Sequence, residues 1–128
     1  MEPFTTEPDL DTPNIILDKT NNIFEFSGRS LPEDAHEFYE PVINWVDMYI
    51  LIPNDSTKLE FRMDYFNTAS SKCFLEILEK FETVLDNDKK IKVIWYYNTM
   101  DEDMLEAGKD YSKMVKIPFE FMSYEEGL

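Results

Sequence analysis

The 128-residue chain is poor in the residues from which common catalytic and metal centres are built. A single cysteine, Cys73, excludes an internal disulfide and any cysteine cluster for a metal. A single histidine, His36, excludes a multi-histidine metal centre. The three glycines, Gly28, Gly108 and Gly127, are scattered, so there is no glycine-rich phosphate loop. Basic residues are scarce as well, 12 against 27 acidic ones, for a formal net charge of -15. That balance lacks the basic footprint needed by nucleic-acid backbones and anionic membranes. It favours solubility and association with basic protein surfaces. Long apolar runs are missing, so no segment reads as a membrane span. The stretch from Met1 to Asp11 is acidic and does not read as a secretory signal. With one cysteine, a reducing cytoplasm is the expected setting.

What remains is a well-patterned α/β chain. Apolar residues make up 43% and aromatics 15%, enough for a core despite the acidity. By length the whole chain, 1–128, reads as one domain, with 1–12 a loose Pro- and acid-rich arm. Asn14 to Asp18 and Ile23 to Ser27 read as two strands. Asn21 and Asn22 between them tolerate positive φ and predict a hairpin. Ser30 and Glu33 fit a capping box, with Pro32 in the first turn. Ala35, Phe38, Tyr39, Val42, Ile43, Val46, Tyr49 and Ile50 then recur at helical spacing. Pro41 inside this pattern predicts a kink or break near Glu40. From Lys58 the chain alternates. Leu59, Phe61, Met63 and Tyr65 share one face; Lys58, Glu60, Arg62 and Asp64 share the other. Cys73, Phe74, Ile77, Leu78 and Phe81 mark a second helix, and Ile91 to Tyr97 a further strand. Thr99 and Glu102 fit another capping box, opening a third helix through Met104, Leu105, Gly108, Tyr111 and Val115. Ile117 to Tyr124 reads as the last strand, and Pro118 within it suggests a sheet edge. The order β-β-α-β-α-β-α-β implies parallel neighbours joined by crossovers. The expected fold is a two-layer α/β sandwich: a mixed, roughly five-stranded sheet with three helices mainly on one face.

Few residues offer chemistry. His36 reads as a surface histidine and Cys73 as a buried small hydrophobe. Asp101, Glu102, Asp103 and Glu106 could hold a cation, but acids in a first helical turn also complement the helix dipole. Trp45 and Trp95 lack the basic neighbours of a base-stacking surface. The stretch "DYFNTASSKCF", Asp64 to Phe74, is unusual in another way. Two of the three expected helices start with carboxylates. The middle one starts with Thr68, Ala69, Ser70, Ser71 and Lys72, and no acid. A helix start without a fixed anion is suited to receive one. A phosphate on Thr68 would add roughly -1.5 to -2 charges there. The plainer reading makes Thr68 an N-cap contributing about 1 kcal/mol. The two readings are compatible.

The segment "YFNTASSK" resembles the signature of the SiaC family of bacterial regulatory phosphoproteins. "FSGRSLPEDAHEFYEPVINWVDMYI" and "VIWYYNTMDEDMLEAGKDY" are similar to two further family segments, and the likeness covers most of residues 14–122. The resemblance implies a fold like that of anti-sigma-factor antagonists (STAS-like) and a partner-switching role without catalytic activity or cofactor. It implies that the threonine of F-N-T, here Thr68, is phosphorylated by a dedicated Ser/Thr protein kinase. A PP2C-type phosphatase would remove the phosphate. The unmodified form would bind and stimulate a diguanylate cyclase, raising cyclic-di-GMP and favouring biofilm. Ala69 departs from the serine common there, which removes one alternative phosphoacceptor. Asn67, Thr68, Ala69, Ser70, Ser71 and Lys72 are then expected to form a nearly neutral partner-binding patch. Two other readings stand beside this one. The chain could be a constitutive interaction module, or a small metal-dependent enzyme using Asp101, Glu102 and Asp103.

Overall fold

A computed structural model describes residues 1–125, so Gly127 lies outside the described residues. Six strands and three helices follow in order: β1 Phe4–Thr5, β2 Asn14–Asp18, β3 Ile23–Ser30, α1 Ala35–Tyr49, β4 Ser56–Phe66, α2 Thr68–Glu82, β5 Lys90–Asn98, α3 Glu102–Met114 and β6 Phe119–Tyr124. A short 3-10 turn, Thr83–Asn87, continues α2. The sheet order is sequential, β1 to β6. β1, β2 and β3 are antiparallel. β3 to β6 run parallel, with one helix in each crossover. Asn22 takes φ 56° in the β2–β3 turn, as its residue type allows. β6 is an edge strand, as Pro118 suggests.

One face of the sheet carries Phe24, Phe26, Leu59, Phe61, Val93 and Trp95, all essentially buried under the helices. Phe26 stacks on Phe61 at 4.6 Å between centroids, and Phe61 on Trp95 at 5.4 Å. The opposite face carries Glu25, Glu60, Arg62 and Tyr96, so the core lies on one side only. Among the described residues, no helix is long and apolar enough to cross a membrane.

Four expectations need correction. The sheet has six strands, because Phe4 and Thr5 of the expected loose arm pair with Leu17 and Ile16. α1 runs unbroken through Pro41. Both capping boxes fail. Ser30 is still in β3, and Asp34 caps α1 by accepting from the Glu37 amide at 3.0 Å. Likewise Asp101, not Thr99, caps α3, accepting from Met104 N at 2.9 Å. Finally, Tyr65 does not continue the inward series of β4. Gly28 pairs with Met63 but Arg29 pairs with Tyr65, so Asp64 is an extra residue opposite no partner. This bulge shifts the alternation by one. Tyr65 turns out to 46% exposure, and Phe66 turns in to pack on Phe74, Trp95 and Tyr111.

Candidate functional site

The bulge in β4 sets up the corner that follows it. Phe66 is anchored by three aromatic rings, and the next amide, Asn67 N, donates to Ser30 O of β3 at 3.1 Å. The chain then turns directly into α2. Asn67 has extended backbone (φ -83°, ψ 175°), and its side chain accepts from the Ser70 amide at 2.8 Å. Asn67 is therefore the N-cap, and Thr68 is the first helical residue. The plainer role offered for Thr68, capping, belongs to its neighbour.

The expected patch divides three ways. Thr68, Ala69 and Lys72 are exposed. Asn67 and Ser71 are half-buried. Ser70 is completely buried and is removed from any contact surface. Its position could have been found from spacing: Ser70 falls in phase with Cys73, Phe74, Ile77 and Phe81 on the inward face of α2. Its hydroxyl donates to Ser30 O at 3.1 Å and lies 2.8 Å from Ser30 Oγ. Ser71 Oγ lies 2.9 Å from the Tyr111 hydroxyl of α3, and Tyr111 donates to Ser71 O at 2.8 Å. Of the three hydroxyls on the first turn, two are committed to the interior. Thr68 alone faces solvent.

The contrast among helix starts persists in three dimensions. The first turn of α1 carries Glu37, and that of α3 carries Glu102 and Asp103; that of α2 carries no acid. A cleft runs from Thr68 toward the start of α1, and Glu33, Asp34, His36, Lys72 and Glu76 line it. The patch is thus bordered by carboxylates that lie close only in the fold, and His36 sits on its rim as an exposed residue. Cys73 forms part of the same wall but is buried, and burial raises its thiol pKa, with Glu76 adding to the effect. A thiol held protonated is a poor nucleophile.

The acidic run at α3 is explained without a metal. Asp101 is occupied as the cap, and among the described residues no three His, Cys, Asp or Glu side chains converge. The tryptophans are structural. Trp95 is fully buried, and its Nε1 donates to Met104 O at 2.9 Å. Trp45 stacks on Tyr49 and donates to Glu2 O.

Comparison with known proteins fits this geometry. The sequence model described as "SiaC family regulatory phosphoprotein" matches residues 6–124, nearly the whole chain. The chain belongs to the SiaC family. A protein of Pseudomonas aeruginosa strain UCBPP-PA14 is 26% identical over 115 residues, covering 90% of this chain and 91% of that one. SiaC of Pseudomonas aeruginosa has a similar fold, with a TM-score of 0.87 at 23% identity over 97% of this chain and 100% of that one. SiaC in the crystal structure of the diguanylate cyclase SiaD with its activator SiaC, also from Pseudomonas aeruginosa, gives 0.88 at 24% identity over 94% and 99%. The helix-covered mixed sheet is thus the fold of SiaC structures.

Proposed function

We propose that this protein is a non-enzymatic phosphorylation switch whose phosphoacceptor is Thr68. The observation that carries the reading is the exposure of Thr68 alone, among three hydroxyls, on the one helix start without a first-turn acid. A Ser/Thr kinase adds the phosphate and a PP2C-type phosphatase removes it. The unmodified form binds and activates a signalling partner, a diguanylate cyclase, in the manner that the complex of SiaD with its activator SiaC suggests. Thr68, Ala69 and Lys72, with the outer edges of Asn67 and Ser71, form the contact surface. A dianion there must be desolvated by any partner that covers it, which costs several kcal/mol unless a cation pairs with it.

Two measurements test this. Intact-mass and peptide analysis of protein isolated from its host shows a phosphate within residues 64–74, on Thr68. In titrations against the host's diguanylate cyclase, unmodified protein and Thr68→Ala bind alike, and Thr68→Glu binds roughly 100-fold more weakly. Equal binding by Thr68→Glu, together with no phosphate on the isolated protein, leaves a constitutive interaction module in its place.

A further inference from the structure

Buried polar side chains are few in this core. Ser30, Thr57 and Ser70 are the buried polar residues among those described, and two of the three, Ser30 and Ser70, bond to each other at the start of α2. Their hydrogens can be placed by elimination. The hydroxyl of Ser70 donates to Ser30 O. The 2.8 Å contact between the two serine hydroxyls is therefore a donation from Ser30 to Ser70. The 2.6 Å contact between Ser30 and Tyr39 is then a donation from Tyr39. A directed chain results, from Tyr39 of α1 through Ser30 of β3 to Ser70 of α2 and back to the β3 backbone. On the other flank, Tyr111 of α3 donates to Ser71 O, which leaves Ser71 to donate to the Tyr111 oxygen. Residues two and three places after Thr68 are thus tied to different neighbouring helices. Breaking either tie strands polar atoms in apolar surroundings.

We propose that Tyr39 and Tyr111 are positioning residues for Thr68: they hold the first turn of α2 in one conformation from both sides, so that negative charge at Thr68 alters the surface without unwinding the helix. The inference rests on the reading of Thr68 as phosphoacceptor. It adds that the switch acts through charge in a fixed frame, where a loosely held turn would instead convert the charge into a change of shape.

Amide hydrogen exchange on the purified full chain tests it, with Thr68→Glu as the charge probe. In Thr68→Glu the Ser70 and Ser71 amides exchange no faster than in the parent. In Tyr111→Phe and in Tyr39→Phe those two amides exchange about tenfold faster, while the Leu78 and Phe81 amides further along α2 stay within about twofold. Uniform acceleration along α2 in the tyrosine variants would reduce both phenols to general stability and overturn the proposal. Selective loss of protection at Ser70 and Ser71 in Thr68→Glu would overturn it from the other side, because charge would then be unwinding the turn. If Tyr39→Phe does not fold, Tyr111→Phe, which loses both hydrogen bonds between α3 and Ser71, carries the test, and Ser71→Ala, which loses one of them, should show a smaller effect of the same kind. Failure of the phosphoacceptor reading is seen separately, as absent phosphate on Thr68 in the mass measurement, and leaves the exchange pattern as it is.

Discussion

α2 and α3 begin in opposite ways. The start of α3 is charged: Asp101 caps it and Glu102 and Asp103 fill its first turn. Its body docks by bringing Gly108 against the indole of Trp95, whose Nε1 donates to Met104 O. The start of α2 is uncharged, capped by Asn67, and is held by hydroxyls that reach into the core. Carboxylates at α3 stabilise the positive helix end permanently. At α2 the same end carries no fixed charge, and fixity comes from groups that do not carry charge. Under the function proposed above, the difference separates a structural helix start from a regulatory one.

The largest expected effect strains the hydroxyl ties of α2 through pH. Burial raises the phenol pKa of Tyr111 from 10.0 to about 12, and burial likewise raises that of Tyr39 further still. Both groups bind their proton more tightly folded than unfolded. Their stabilising contribution is complete below pH ~10 and is lost as pH rises toward the folded values, because the unfolded chain ionises first. With two such phenols the loss approaches about 2.7 kcal/mol per pH unit at its steepest. Denaturant midpoints measured from neutral pH to pH ~11 should fall, and Tyr111→Phe should flatten part of the slope. An equal slope in that variant would detach Tyr111 from the clamp.

Next in size is the docking of α3. A Cβ on Gly108 would lie 2.5 Å from Trp95 Cδ1, and the ring is fixed by its bond to Met104 O. Overpacking of about 3 kcal/mol, less about 1 regained from alanine's helix propensity, leaves Gly108→Ala destabilised by about 2 kcal/mol. Chemical denaturation checks this, and a neutral result would mean that α3 can shift on the sheet.

How much of this contrast could be read from the chain depends on the range of the interaction that decides it. The alternation from Lys58 to Met63 and the buried face from Cys73 to Phe81 are local periodicities, and both appear in the fold. The turn-out of Tyr65 is not local, because the bulge at Asp64 exists only relative to β3. The pairing of Phe4 with Leu17 has the same character. The capping boxes misled for a related reason. Ser30 has a suitable glutamate three residues on, but the sheet keeps it as strand and its hydroxyl is used by Tyr39 and Ser70. At the site, the missing acids were visible as composition. The burial of Ser70 was visible as helical phase. The approach of Glu33 and Asp34 to the cleft beside Thr68 was not, since α1 and α2 meet only in three dimensions.

The two caps give a smaller and paired effect. Asn67→Ala and Asp101→Ala each remove the side-chain acceptor of one first-turn amide, Ser70 N or Met104 N, and each should cost about 1 kcal/mol. They should differ in salt dependence. The loss at Asp101 includes a carboxylate–dipole attraction that added salt screens, and the loss at Asn67 does not. Denaturation at low and high ionic strength separates them. Matching salt responses would erase the distinction between the two starts.

The smallest effect reads the vacancy at α2 directly. A carboxylate at the first helical residue faces a helix end with no first-turn acid. Thr68→Glu should therefore raise the stability of the isolated protein by about 0.3–1 kcal/mol at low salt, and the gain should fade as salt is added. The same substitution should weaken partner binding, because a charge that is well solvated at an exposed helix start must be stripped of water when covered. Stability and binding then move in opposite directions from one side chain. A general disruption of the corner would lower both, and a harmless surface change would move neither. The carboxylates of Glu33, Asp34 and Glu76 oppose the gain, so its size also measures how far the helix end outweighs the acidic rim around it.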